Sequence, residues 1–284
     1  MPVSHYENFP VASLLLPRRT RAAVEAIYWF ARSADDIADE GTHDDAWRLA
    51  ALERYRSQLD AIAAVRPLAD ARWENLAFHI RRNALPIAAF RDLLDAFAQD
   101  VTTKRYATYA EVADYCRRSA NPVGRLLLHL FGQTAEHALV LSDRICTALQ
   151  LLNFCQDVAI DWQKDRVYFP LDEMRAAGVG ESHLAEQRVD AAWESLFAQQ
   201  LTRATALLEA GSDLPQLLRG RPRLELKAII AAGRRIGVRL AATQGDVFRR
   251  RPRLTTSDAI AIAVSTVRPW SSRSLSRVLA DRST

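Results

Sequence analysis

From Pro17 to Thr266 the chain divides into apolar patterns that recur every three or four residues, most of them ended by a proline or glycine, and this periodicity confines it to helices. The first pattern runs through Val24, Ile27, Tyr28, Ala31, Ala34 and Ala38. It is entered at Pro17, whose missing N–H costs nothing at a helix start, and stops at Gly41. Further patterns predict helices over 44–65, 71–84, 87–101, 109–132, 136–165, 189–211, 221–247 and 255–266, with breaks at Pro67, Pro86, Gly132, Pro170, Gly178, Gly211 and Gly220. Val, Ile and Thr never fall into alternating runs, which excludes a β-sandwich, a barrel or a Rossmann-type sheet. Composition agrees: 47 residues are alanine, the best helix former, against 10 glycines and 11 prolines. Asn121, Pro122 and Gly124 interrupt the fifth pattern, so a kink is expected there.

No repeat, linker or shift in composition marks a boundary, so the expectation is one all-α domain over 1–284 with a basic tail from about 268. Hydrophobic residues at 49% and charged residues at 25% exclude a disordered chain. The apolar runs fall short of the roughly 18 residues of a transmembrane helix. Met1 to Pro10 lacks the basic and apolar regions of a secretory signal, which gives a cytoplasmic expectation. Cys116, Cys146 and Cys155, odd in number and set in helical patterns, are expected as buried thiols rather than disulfides or zinc ligands. The formal charge is +4, and all but three of the 38 basic residues are arginine. Arg249 to Arg253 reads RRRPR, and four more arginines follow Val267. A solvated helix end explains this run, peripheral contact with an acidic membrane face is its other use, and no nucleic-acid partner is expected.

Two helix faces carry chemistry. Asp35 and Asp39 lie at i, i+4 and Asp36 and Asp39 at i, i+3, so three carboxylates share one side near a helix C-terminus, where they repel each other and oppose the helix dipole. A solvated acidic end or a cation site both answer to that pattern. Gln150, Asn153, Asp157 and Asp161 follow at steps of three, four and four, forming an oxygen-bearing stripe on a helix otherwise built of Leu149, Leu151, Leu152, Phe154, Val158 and Ile160. Acids in such surroundings need partners. Hard oxygen donors without paired His or Cys point to Mg²⁺, which keeps coordination positions for water and substrate phosphate. Two such faces imply a diphosphate between them. Lys164, Arg166 and Tyr168 could hold it as donors, although the two cations could also merely balance Asp161 and Asp165; Arg32 sits one turn before the first cluster. Together these features suit ionisation of an allylic or cyclopropylcarbinyl diphosphate in an apolar cavity, where Phe9, Tyr28, Tyr106, Tyr115 or Phe131 could face the cation.

The segments His5-Tyr-Glu-Asn8-Phe9, Tyr28-Trp-Phe-Ala-Arg32-Ser-Ala-Asp35-Asp36-Ile-Ala-Asp39 and Asn153-Phe-Cys-Gln156-Asp157-Val-Ala-Ile-Asp161-Trp-Gln-Lys164-Asp-Arg166-Val-Tyr168 resemble the squalene/phytoene synthase family. The order and flanks of the two motifs carry the likeness over most of the chain. The resemblance implies an isoprenoid synthase-type helical bundle around a deep central cavity. It also implies Asp35, Asp36 and Asp39 as a first aspartate-rich motif, and Asn153, Asp157 and Asp161 as a second. Asn8, Gln156 and Arg117 stand where phytoene-type members usually have Ser, Arg and Tyr, which places the chain in the hydroxysqualene branch. That branch is expected to ionise presqualene diphosphate with Mg²⁺ and add water, without NADPH, in the service of squalene and hopanoid synthesis, with transient contact to neighbouring pathway enzymes. Water attack needs polar groups in the pocket, and Asn121, Gln156 and Arg117 are the candidates for holding that water. The alternatives are a head-to-head prenyl transferase that makes presqualene diphosphate or phytoene, and a non-catalytic helical adaptor at a lipid surface.

Overall fold

The computed structural model describes residues 18–267; His5, Asn8, Phe9 and the basic tail from 268 lie outside the described residues. Within these, the regular structure is helical, and the one sheet-like pairing is an isolated parallel bridge between Arg105 and Val167. The helices are α1 (Arg18–Asp39), α2 (Asp45–Ala63), α3 (Ala71–Arg82), α4 (Ile87–Thr102), α5 (Tyr109–Ser119), α6 (Asn121–Leu130), α7 (Glu136–Gln163), α8 (Leu171–Ala176), α9 (Glu181–Ala185), α10 (Ala191–Gly211), α11 (Leu214–Leu217), α12 (Gly220–Ala241) and α13 (Thr256–Val267). Asp44, Asp70, Thr108 and Asp190 begin α2, α3, α5 and α10, each accepting from a backbone N–H of the first turn that has no intrahelical partner.

Two expectations are corrected by this frame. The pattern over 109–132 is two helices divided at Ala120, because Pro122 offers no N–H to continue α5. The pattern over 221–247 ends at Ala241 and turns at Gly245, where φ is +87° and the carbonyl accepts from the Trp193 indole at 2.9 Å. α8, α9 and α11, of four to six residues, are too short for periodicity to reveal.

Two apolar clusters organise the bundle. α1 to α4 enclose Phe30, Leu59, Leu76, Phe90 and Leu94, whereas α5, α7, α10 and α12 enclose Tyr115, Ile145, Leu196, Leu208 and Ile236. α6 belongs to both: Leu126 and Leu130, one turn apart, join the first cluster, and Leu128 joins the second. α7 is the axis of the second cluster, and small residues let its neighbours approach it. A Cβ on Gly124 of α6 would lie 2.6 Å from Cys146 Sγ, and one on Gly211 of α10 would lie 2.7 Å from the Leu141 carbonyl. Contrary to the expectation from its apolar runs, α7 is long and apolar enough to cross a membrane by length and composition. Its packing against α6, α10 and α12 gives that hydropathy a use in the core. Cys116 and Cys155 are buried free thiols that burial pushes up to about 12, and Cys146 is pushed up to about 11.

Candidate active site

The first acidic face forms on the last turns of α1. Tyr28, Arg32, Asp35 and Asp39 follow the helix at three- and four-residue steps and are all half-buried. Arg32 answers its neighbours directly, with Nη1 3.2 Å from Asp35 and Nη2 2.7 Å from Asp36. Asp36 is the outermost of the three, with 45% of its side chain exposed, so its carboxylate serves Arg32 at the rim.

The second face forms on α7, and the chain beyond α7 joins it to the first. After Gln163 the backbone turns through Asp165 at φ +57° and enters the bridge at Val167, carrying Lys164 and Arg166 back over the end of α1. Arg166 closes both Nη atoms on Asp39, one at 3.0 Å, and Lys164 Nζ lies 3.0 Å from the same carboxylate. The two cations expected to face a diphosphate thus hold an aspartate of the first motif. Asp157 is likewise engaged by Arg251 Nε, and by its Nη2 at 3.0 Å. Arg251 belongs to the RRRPR run, so the solvated-end reading fails for this residue: its side chain is 14% exposed and turned inward onto α7. Gln156 Nε2 donates to the Pro252 carbonyl next to it, which fastens the same loop.

The charge balance leaves acid in excess. Burial, and then the charge of Asp39, push Asp35 up to about 7 against the pull of Arg32. Burial and Asp157 raise Asp161 well above the carboxylate range. Burial also acts on Asp39, but hydrogen bonds and charge from Arg166 and Lys164 outweigh it and hold this carboxyl below its ordinary value. Among the described residues no three His, Cys, Asp or Glu side chains converge closely enough to form a preassembled metal centre.

Between the faces lies a buried group that the motifs do not include. Asp100 of α4 is 5% exposed and accepts from Tyr115 Oη at 2.8 Å and Tyr168 Oη at 3.4 Å, while its carbonyl accepts from Arg166 Nη2 at 3.2 Å. Burial pushes it up to about 6 in spite of Arg166. Tyr168 stacks on Phe154 at 3.9 Å between ring centroids, and Tyr106 and Tyr115 complete an aromatic wall. A lone acid within the apolar face formed by Leu93, Ala96, Phe97 and Val101 was the available signal for it.

The remaining candidates divide. Gln150 and Asn153 are half-buried on the α7 stripe. Asn121, buried at the start of α6, accepts at Oδ1 from Thr147 Oγ1 of α7 at 3.0 Å, so it ties the kink to the stripe. Arg117 lies apart from this group: 55% of its side chain is exposed, and it pairs with Asp114 at 2.8 Å. Arg118, one residue on, turns inward to Gln99. Helical rotation of 100° per residue separates the two, and no spacing rule chose between them. An open groove of about 560 Å³ lined by Trp29, Tyr55, Arg72 and Trp73 contains none of the candidate residues.

The squalene/phytoene synthase family model matches residues 3–258. The hydroxysqualene synthase of Rhodopseudomonas palustris is 35% identical over 250 residues, which cover 86% of this chain and 82% of that protein. The hydroxysqualene synthase of Zymomonas mobilis is 40% identical over 173 residues, which cover 61% of this chain and 57% of that relative's length. The crystal structure of squalene synthase HpnC from Alicyclobacillus acidocaldarius superposes with a TM-score of 0.79 at 34% identity, covering 85% of this chain and 90% of that one. The bundle is thus of the isoprenoid synthase type.

Proposed function

The chain belongs to the squalene/phytoene synthase family, and from that premise we propose that it converts presqualene diphosphate and water to hydroxysqualene and diphosphate, with Mg²⁺ and without a nicotinamide. The observation that carries the reading is the fastening of the end of α1 to the end of α7 by Arg166 on Asp39, which brings the carboxylates of the two helices beside one another. The names of the similar hydroxysqualene synthases support the substrate class.

The residues fit a hard divalent cation. Their donors are carboxylate and amide oxygens, and Asp35 and Asp161 are driven toward protonation by burial and by neighbouring acid, a repulsion that a cation relieves. Asp35, Asp39, Asn153, Asp157 and Asp161 would hold it. When bound, Mg²⁺ supplies charge neutralisation of the departing diphosphate. Lys164 and Arg166, which hold Asp39, bring cationic N–H groups beside these carboxylates, where they would orient the diphosphate. Tyr106, Tyr115, Phe154 and Tyr168 form a wall that excludes bulk water and offers ring faces to a carbocation. Asp100 fixes the phenol hydroxyls of Tyr115 and Tyr168, which keeps that wall in one arrangement.

The test is incubation of the purified protein and Mg²⁺ with presqualene diphosphate, and separately with farnesyl diphosphate, followed by product identification by mass. Hydroxysqualene from the first substrate alone is expected. A C30 or C40 diphosphate or hydrocarbon formed from prenyl diphosphates alone would instead assign head-to-head condensation.

A further inference from the structure

The acid-bearing end of α1 is closed by a residue that belongs to neither motif. A helix leaves its last carbonyls without intrahelical donors, and α1 has no basic residue in its last turn to answer them or to offset carboxylates placed against the helix dipole. Glu40 N–H donates to the Asp36 carbonyl at 2.9 Å, and the chain then reverses at Gly41, where φ is +76°. Arg48 of α2 supplies the rest. Its Nη1 donates to the Ile37 carbonyl at 2.8 Å, its Nη2 to the Gly41 carbonyl at 3.0 Å and its Nε to the His43 carbonyl at 3.0 Å.

These contacts enclose Asp39. Ile37 stands two residues before it and Gly41 two residues after, so one planar guanidinium spans the backbone on both sides of this aspartate, while Arg166 and Lys164 hold its carboxylate. Asp35 and Asp36 precede Ile37 on the same turn. Arg48 is 8% exposed, and among the described residues the hydrogen bonds of its side chain all go to main-chain carbonyls between 37 and 43, none to a carboxylate. The first turn of α2 aims it there: Asp44 accepts from Trp47 N–H at 2.8 Å, and Arg48 N–H donates to the Asp44 carbonyl at 3.1 Å. A cap that served the helix alone needs only a glycine or a water. Burying a guanidinium carries a desolvation cost, which fits a turn that must be held in one position.

We propose that Arg48 is a positioning residue for the divalent cation and the diphosphate: by fixing the last turn of α1 it sets where the carboxylates of Asp35 and Asp39 stand. This rests on the Mg²⁺-dependent reading above. Arg48 touches neither carboxylate, so it acts through the backbone and takes no part in bond breaking. Loosening the turn would spread those carboxylates over several positions, which weakens the hold on the cation and leaves the aromatic wall as it is.

The experiment compares wild type, Arg48→Lys, Arg48→Gln and Gly211→Ala, the last a protein destabilised at the contact of α10 with α7. Two quantities are read: the rise in melting temperature produced by Mg²⁺ with inorganic diphosphate, and the Mg²⁺ concentration giving half-maximal turnover of presqualene diphosphate. Arg48→Lys keeps the charge and loses the fork. Both Arg48 variants are expected to need about tenfold more Mg²⁺, the low end of the range for losing a group that orients metal ligands, and to show a smaller melting shift. Their turnover at saturating Mg²⁺ should stay within about threefold of wild type. Gly211→Ala should melt at a lower temperature yet keep the wild-type Mg²⁺ requirement and melting shift. A wild-type melting shift or Mg²⁺ requirement in both Arg48 variants overturns the proposal. So does an equal change in Gly211→Ala, which would make it a consequence of lowered stability, and so does loss of folding in both Arg48 variants, which would make Arg48 a support of the whole bundle. A wild type that does not convert presqualene diphosphate overturns the parent reading, and the melting shifts then still decide the role of Arg48.

Discussion

Arg166 grips Asp39 with both terminal nitrogens across 127 residues of sequence, the two side chains being 10% and 15% exposed. Such a pair joins the end of α7 to the end of α1, and removing either half leaves a poorly solvated charge behind.

Arg166→Ala is therefore expected to lose about 3 kcal/mol of unfolding free energy, the range for breaking a buried pair, together with most turnover. Asp39→Asn combined with Arg166→Ala should recover part of the stability and none of the turnover. Urea denaturation of the single and double variants measures the coupling; strictly additive losses would show that the two groups act independently.

Asp157→Asn should leave the helical circular dichroism signal intact and cut turnover by about two orders of magnitude or more, the scale of losing one electrostatic contact in a reaction centre. Arg251→Ala should loosen the 249–254 loop, read as faster proteolysis there, because Arg251 and the Gln156 amide fasten it to α7.

The raised pKa of Asp100 sets a pH dependence of stability. The folded chain holds a proton on this group up to about pH 6, whereas the unfolded chain releases it near 3.8, so the contribution is full below about pH 4 and is lost as pH rises to 6. Asp100→Asn removes that slope. Its melting temperature relative to wild type should rise between pH 4 and pH 6.5, and a constant difference over this range would contradict a raised Asp100.

Chelation should abolish turnover, and Mg²⁺ with inorganic diphosphate should raise the melting temperature more than either alone. Asp35→Asn should reduce that joint shift. An equal shift in wild type and variant would remove Asp35 from the ligand set.

Gly211→Ala should destabilise the fold by about 1–3 kcal/mol without altering the product, since its new Cβ meets the Leu141 carbonyl and the Ile145 side chain, not a flexible chain end. Thermal melts and product analysis together check this.

Most of the helical frame could be read from apolar spacing, because α1, α4, α7 and α10 bury continuous faces that repeat at the helical period. Asp35, Asp39, Asp157 and Asp161 could be read because acids at that spacing inside apolar helices have few uses. Their partners could not. Arg166 lay in view as a cation, but its turn back onto Asp39 depends on the Asp165 conformation and the bridge at Val167, which couple distant parts of the chain. Arg251 was one of five residues in a basic run, and the path of the loop alone decides which of them turns inward. Arg117 and Arg118 differ by one helical step, and the position of Gln99 on α4 gives the half-buried one a partner that the exposed one lacks.

The glycine-lined packing of α7 bears on how this chain tolerates insertion and deletion. One face of the helix meets Gly211 at its own backbone and Gly233 through the end of Leu149, and another carries Gln150, Asn153, Asp157 and Asp161. A single added residue upstream of Asn153 rotates everything beyond it by about 100°, moving the acids off their stripe and leucines onto it. Length variation among functional descendants of this sequence is then confined to the connections, and α7 evolves by replacement alone.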